Sequence, residues 1–368
     1  SLQKRGGGAL DALGLSRGLC ENRFGHEVVI SEGNELAGEF TENEYRRVAK
    51  IATYGSSGGS FLLNSLLLVR PFRLIAVVRK YRPSVVHITH FHPWAFLIFL
   101  SRPFFGYKIV YGIHEDPYSR KDAGNPAVMG PLERMFARWA DMVAAYSDYM
   151  KSVLERHIPG SRIVMIRPGD YRSFYPNFAH KGFHANGTLK LLFFGPIKEY
   201  KGVDVLVRAM AICKERGIDA ALTIAGVQGP SKKIINEDEV RSLGIVWIDR
   251  FLRREEVGAL MEEADVMMIP YKEATQTTPG LLAVAYGLPA IGTKSGGLPE
   301  EVRDGVNGLL VDPGDAKGLA DVIGRICGNR SLLDEFGKGA KMLYGSEFSS
   351  RSIAEKAIRE AYEPFFRQ

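Results

Sequence analysis

The sequence predicts two doubly wound α/β units with parallel sheets, and three observations predict it. Short apolar runs of strand type alternate with helix-periodic stretches through both halves. At 368 residues the chain has room for two domains of ~100–200 residues each. Between the halves, Ser173–Thr188 is polar, holds Pro and Gly, lacks periodicity and reads as a linker. Alternation of this kind implies right-handed βαβ crossovers and sheets covered on both faces. Two such units facing across a cleft would bind a ligand at the carboxyl ends of their strands.

Taken in order, Gly6-Gly7-Gly8 opens a helical stretch over 8–23 and looks like a glycine loop after a first strand. Only Ser1–Arg5 precede it, too short and too polar for a central strand. Either the first strand lies upstream or the unit is incomplete. Strands are expected at Glu27–Ile30, Val85–Ile88, Lys108–Ile113, Met142–Tyr146 and Ile163–Ile166, with helices around 60–82, 93–102, 130–140 and 147–157. The second half offers Leu189–Phe194, Ala221–Ala225, Ile245–Ile248, Val266–Ile269, Ala290–Gly292 and Gly308–Val311.

Composition bounds the function. Hydrophobic residues make up 45% and charged residues 24%, as in soluble globular proteins. Cys20, Cys213 and Cys327 are odd in number and far apart, with neither metal-ligand spacing nor a disulfide framework. A reducing, cytosolic setting follows as the expectation. No run approaches the ~18 apolar residues of a membrane span, and no signal-peptide pattern is present. Residues 1–168 hold 22 Lys+Arg against 15 Asp+Glu, while residues 169–368 hold 26 against 27. The basic half carries Arg70-Pro-Phe-Arg73, Arg79-Lys80-Tyr81-Arg82 and the aromatic segment Phe91–Tyr107. This fits either peripheral association with anionic lipid or solvated arginines over an aromatic core. No nucleic-acid partner is expected.

The run Leu189–Gly202, LKLLFFGPIKEYKG, carries the most chemistry. A strand leads through a loop bearing Lys198 and Lys201 into a helix faced by Val205, Leu206, Ala209, Met210 and Cys213. Backbone N–H groups and the positive helix end favour an anion there, and a lysine adds a full charge. An ordinary connection with solvated lysines has the same pattern.

An ordered series of features follows this loop: Gly202-Val-Asp, Ile224-Ala-Gly226, Ala264-Asp-Val-Met-Met-Ile-Pro270, Ala285-Tyr-Gly-Leu-Pro289, Gly296-Gly-Leu-Pro-Glu300 and Asp304-Gly-Val-Asn-Gly-Leu-Leu-Val-Asp-Pro-Gly314. With the Gly6–Gly8 loop, Gly25-His26-Glu27-Val28, Val85-Val86-His87, Ile113-His114 and Arg167-Pro168-Gly169-Asp170, the series resembles the retaining family-4-type glycosyltransferases of the GT-B fold.

The resemblance implies an acceptor-binding domain over 1–173, completed by a C-terminal helix over 352–368, and a nucleotide-sugar-binding domain over 174–351. It implies transfer of a hexose from a UDP- or GDP-sugar to a hydroxyl acceptor with retention, in glycan, polysaccharide or glycolipid synthesis. The acceptor would be a glycan, a lipid-linked glycan or a small metabolite. No metal or other cofactor is expected, and the setting is the cytoplasm or the inner face of the membrane. Lys201 matches the lysine that stabilises the leaving diphosphate. The companion basic residue often directly follows the glycine matching Gly195; here that position is Pro196, and Lys198 is the substitute.

Thr277 or Thr278 is a good N-cap for the next helix, and Pro279 and Gly280 suit its first turn, so free N–H groups of Thr277 and Thr278 would face the diphosphate. Most members carry two glutamates seven residues apart, and these positions fall on Ala274 and Leu282. Glu273 or Gln276 would then meet the sugar. Arg250 or Phe251 would meet the base. In the first half, His114 matches a position near the reacting sugar, and Gly7 and Gly8 would approach the diphosphate or acceptor by their N–H groups. Glu115 and Asp116 are acceptor-orienting groups or helix caps. His90 and His92 would line the acceptor cleft, and a metal pair is rejected for want of a third ligand. With the glutamate pair absent, a non-catalytic nucleotide-sugar-binding partner of another glycosyltransferase is the second reading. A NAD-dependent enzyme is a distant third, since Gly6–Gly8 lacks G-x-G-x-x-G spacing.

Overall fold

The computed structural model describes residues 7–34, 36–41, 45, 47–53, 69–118, 126–158, 162–173, 182–184, 186–229 and 233–367. Gly6, the 60–68 part of the expected helix over 60–82, the Arg70 side chain and most of the linker Ser173–Thr188 lie outside the described residues. The chain divides into two compact units, Ser1–Asp170 with Glu347–Gln368, and Tyr171–Ser346.

In the first unit the order is α1 (Gly7–Glu21), β1 (Val28–Ser31), β2 (Val48–Ile51), α2 (Val69–Tyr81), β3 (Val85–Ile88), α3 (Ala95–Phe105), β4 (Lys108–Ile113), α4 (Pro126–Trp139), β5 (Met142–Ala145), α5 (Asp148–His157) and β6 (Ile163–Met165). All the strand pairs are parallel: β3-β4-β5-β6 form one sheet and β1-β2 another. Two expectations need correction. Gly7 and Gly8 belong to the first turn of α1 and not to a loop before it. β2 escaped the sequence reading because Val48-Ala-Lys-Ile51 is short and has only one fully buried residue.

The strands' period of two divides this unit's core. Ile109, Tyr111 and Ile113 of β4 point to a cluster with Leu74 and Val78 of α2, Ile98 and Phe99 of α3, Phe136 of α4 and Leu154 of α5. Val110 points the other way, to Leu15 and Leu19 of α1. That second cluster also takes in Ile353, Ala354 and Ala357.

The second unit runs β7 (Leu189–Phe194), a 3₁₀ turn Glu199–Lys201, α6 (Val203–Glu215), β8 (Ala220–Ala225), α7 (Glu237–Ser242), β9 (Val246–Ile248), α8 (Arg254–Glu263) and β10 (Val266–Ile269). It continues with α9 (Thr278–Tyr286), β11 (Ala290–Thr293), α10 (Leu298–Glu301), β12 (Gly308–Val311), α11 (Ala316–Gly328) and α12 (Ser331–Leu343). The chain then returns to the first unit through α13 (Ser350–Ala357), which packs on α1. Six parallel strands are ordered β12-β11-β10-β7-β8-β9. Val266–Ile269 are wholly buried, as central parallel strands covered on both faces must be.

Strand order reverses between β7 and β10: the chain builds outward from β7 to β9, then crosses back to β10. Loops leaving two neighbouring strands in opposite directions open a crevice at their carboxyl ends. The position of the second unit's candidate site follows from this reversal.

Candidate functional site

The loop after β7 and the loop after β10 meet at that crevice. Gly195 follows β7 with φ +124°, a backbone that an L side chain rarely adopts. A Cβ at this position would lie 2.8 Å from Lys201 Nζ. The glycine therefore makes the space in which the buried Lys201 ammonium rests. Lys201 ends the 3₁₀ turn, and its Nζ lies 5.2 Å from the centroid of the Tyr271 ring, within cation–π range. Tyr271, just past β10, is fixed in turn, its carbonyl accepting from Thr293 Oγ1 at 2.5 Å. The two loops are joined by the Lys272 N–H, which donates to the Tyr200 carbonyl at 2.6 Å. The buried ammonium thus rests against the Tyr271 ring at the switch point, between two loops joined through their backbones. Lys198 differs: it is exposed, with Nζ 5.9 Å from the Tyr200 ring centroid.

Thr277 is the N-cap of α9, and its hydroxyl accepts from the Gly280 N–H at 2.9 Å. The rest of the N-terminus departs from expectation. Glu301, buried at the end of α10, accepts from the Thr277 N–H at 2.7 Å and from the Thr277 hydroxyl at 2.6 Å. A Cβ on Gly280 would lie 2.1 Å from Glu301 Oε2. Thr277 therefore offers no free N–H, because an internal carboxylate already takes it, and the room beside Gly280 is filled by that carboxylate. The Thr278 N–H has no partner among the described residues and remains open to an anion.

Glu273 is exposed, and Gln276 is half-buried. Leu282, at one vacant glutamate position, is fully buried, and Ala274 at the other accepts from the Gly297 N–H through its carbonyl at 3.1 Å. Past β9, Arg250 makes a paired contact with Glu256, at 3.0 and 2.7 Å, which holds the Glu256 carboxyl down to about 2. Phe251 beside it is 78% exposed, so it is not a core residue and its ring is open to stacking.

In the first unit, His114 follows β4 and is buried. Its Nε2 donates to the Thr89 carbonyl at 2.8 Å, and its Nδ1 lies 3.3 Å from Asp11 Oδ2. At that distance the Asp11 carboxylate lies within ion-pairing range of the ring. Burial pushes the imidazole well below its usual range, toward the neutral form. Both ring nitrogens are therefore engaged within the unit. The ring also stacks on Tyr146, with centroids 3.8 Å apart, and approaches His90 at 4.6 Å. Asp11 takes the Gly169 N–H through its other oxygen at 2.8 Å, tying α1 to the chain after β6.

Gly7 and Gly8 begin α1 four and three residues before Asp11, and Asp11 lies in the same helix. Burial lowers His87 and His90 to about 4 and His92 to about 3. Among the described residues no group of three or more His, Cys, Asp or Glu could hold a metal ion.

Sequence reasoning missed Glu301, Tyr271 and Asp11. The signal for Asp11 was a lone acid in the otherwise apolar Gly7–Leu15 stretch. Glu301 was masked by its neighbour Glu300, since two adjacent acids give no hint of which one turns inward.

A model of Glycosyltransferase Family 4 matches residues 5–169, and a model of Glycosyl transferases group 1 matches residues 188–329. The chain is 30% identical over 272 residues to the D-inositol 3-phosphate glycosyltransferase of Actinosynnema mirum, covering 67% of this chain and 65% of that protein. The match to the enzyme of the same name from Corynebacterium kroppenstedtii is 30% over 223 residues, 57% of this chain and 48% of that one. The chain thus spans about half to two thirds of the length of these curated relatives. Among solved structures, it is similar to the sucrose-phosphate synthase of Thermosynechococcus elongatus, with a TM-score of 0.71 at 18% identity over 96% of this chain and 92% of that one. It is also similar to Anabaena HepE in complex with UDP and glucose, with a TM-score of 0.68 at 15% identity over 98% and 97%.

Proposed function

The chain belongs to the family-4-type glycosyltransferases of the GT-B fold, and from that premise we propose that it transfers a hexose from a UDP- or GDP-linked donor to a hydroxyl acceptor with retention. The observation that carries the reading is the buried Lys201 ammonium at the strand-order reversal between β7 and β10. When the bond between the sugar's anomeric carbon and the β-phosphate oxygen breaks, negative charge builds on the diphosphate. A cation held rigidly in a low-dielectric crevice stabilises that charge more in the transition state than in the ground state. The acceptor oxygen then bonds to the anomeric carbon on the face the phosphate leaves, and its proton passes to the departing phosphate oxygen. In this reading the Thr278 N–H adds a second contact to the diphosphate, Phe251 stacks on the base, and Gln276 or Glu273 meets the sugar. The positive charge at the leaving group is Lys201 with Lys198 nearby, and no metal is required.

His114 has a positioning role in this proposal, because Thr89 and Asp11 already engage its nitrogens. The first unit takes the acceptor. HepE's complex with UDP supports a uridine donor, and the names of the curated relatives bring inositol phosphates into the acceptor class to be screened. We place the reaction in the cytoplasm.

Ala274 and Leu282 at the glutamate positions favour a second reading, a nucleotide-sugar-binding partner without turnover. Calorimetric titration with UDP and GDP followed by a donor-hydrolysis assay separates the two. Binding with turnover of a sugar nucleotide supports the enzyme. Tight nucleotide binding with no turnover of any donor sinks it.

A further inference from the structure

Helices α2, α3 and α4 cover one face of the first unit's sheet, and their inward residues share one core cluster with β4. Their other sides face water. On α3 the outward ridge is Phe96, Leu100 and Phe104, spaced by four residues and 40, 50 and 83% exposed. The Trp139 ring at the end of α4 lies 6.1 Å from Phe96, and Arg102 bridges the two helices by donating to the Trp139 carbonyl at 3.0 Å. Beneath the ridge, Phe99 stacks on Phe136 with ring centroids 4.9 Å apart. The exposed aromatics therefore stand on an aromatic layer, and they form an apolar patch of the kind that often serves an interaction.

The exposed charge around the patch is mainly basic, and Asp141, two residues past Trp139, is largely enclosed by its pairing with Arg102 and Lys108 at 3.2 Å. The 70 residues between Glu44 and Glu115 contain ten Lys or Arg and no Asp or Glu. On α2, which packs beside α3, Arg79 and Lys80 are exposed, as are Arg82 just after it and Arg138 beside Trp139. A second copy of the same face would bring cation against cation, since a two-fold contact is self-complementary only if the patch carries both signs. A surface that is both anionic and apolar beneath its charges matches it.

We propose that this face docks on an anionic phospholipid bilayer. Phe96, Leu100, Phe104 and Trp139 enter the boundary between headgroups and acyl chains, and Arg79, Lys80, Arg82 and Arg138 meet the phosphates. No helix of the described residues is long and apolar enough to cross a membrane, so the contact is peripheral. The inference is independent of the donor site in the second unit, and either can fail without the other.

The test is co-flotation with phosphatidylcholine vesicles with and without phosphatidylglycerol, at low and high salt, with Trp fluorescence as a second readout. The parent chain binds anionic vesicles, shifts its emission to the blue, and is released by salt. The exchange Arg79→Gln with Lys80→Gln and Arg82→Gln lowers partitioning about 100-fold, at ~1 kcal/mol per basic residue and ~1.4 kcal/mol per factor of ten. The pair Leu100→Ser and Phe104→Ser removes the blue shift, while unchanged thermal melting shows that these exposed positions leave the fold intact. Equal binding to neutral vesicles, no binding of the parent to anionic ones, or binding unchanged in both variants overturns the proposal. A dimer that forms without lipid and is lost in the Leu100→Ser, Phe104→Ser variant also overturns it.

Discussion

The Glu301 carboxylate grips Thr277 twice, taking its N–H at 2.7 Å and its hydroxyl at 2.6 Å, and so fixes the first turn of α9 from inside the protein. Helix N-termini favour negative charge, and here part of that preference is met by the chain itself. The arrangement keeps the loop from Tyr271 to Thr277 in register above the switch point, with the Thr278 N–H left outside the grip.

Replacing Glu301 by Gln puts an amide group opposite donors that need an acceptor. Loss of a buried charge-assisted hydrogen bond should cost about 1–3 kcal/mol, measured by urea unfolding. Gly280→Ala should cost at least as much, because its Cβ would lie 2.1 Å from Glu301 Oε2. Combined with Glu301→Ala, the Gly280→Ala penalty should shrink but not vanish, since Glu301 Oε2 is gone while Thr277 Oγ1 still lies 2.7 Å from the new Cβ. Strict additivity of the two would show that the clash is not what makes Gly280 necessary.

Lys201→Ala should lower kcat with a sugar-nucleotide donor by about 10²–10³-fold, the scale of one preorganised electrostatic contact in a dry site. Unfolding should change far less than turnover, because the 3₁₀ turn and its backbone bonds to Lys198 and Tyr200 do not use the ammonium. Kinetics equal to the parent's would remove Lys201 from the reaction.

Acid should weaken the first unit. His87 and His90 fall from 6.5 to about 4, and His92 to about 3, because burial penalises their charged forms. Between pH 6.5 and about 4 the unfolded chain binds more protons than the folded one, so stability rises with pH there and is lost on acidification. At about 1.4 kcal/mol per pKa unit, each group contributes on the order of 3–5 kcal/mol. Glu133 has the opposite sign. Burial, with repulsion from Glu115 second, raises it from 4.5 to about 7, so its share of stability is present below pH 4.5 and is lost as pH rises through about 7. Melting temperatures across pH should therefore show a shallower acid limb in His90→Asn and a smaller loss between pH 4.5 and about 7 in Glu133→Gln. Parallel curves for parent and variants would refute the assignment.

Much of this molecule was legible before folding. Leu189–Phe194, Val266–Ile269 and Gly308–Val311 are strands with the expected bounds, because a short apolar run between turn residues has few other ways to be buried. β2 was not legible, since Val48-Ala-Lys-Ile51 carries too little apolar signal for a strand that pairs only with β1. Of the site, the lysines of the β7 loop and the Thr277 cap stand out in the sequence because local spacing places them. Which of the two lysines is buried did not, since Gly195 and Tyr271 decide that from different strands.

The sequence by itself determined the alternation of strand and helix, the order of the motifs and the family they define, all of which depend on residues near one another in the chain. Only the tertiary structure decided which charges are enclosed. Glu301 reaches Thr277 across 24 residues, and Asp11 reaches Gly169 across 158. Such pairings depend on how β-strands and helices far apart in the chain come to lie side by side. No local pattern records that a buried carboxylate waits there, or that the ridge of Phe96, Leu100 and Phe104 is left facing water.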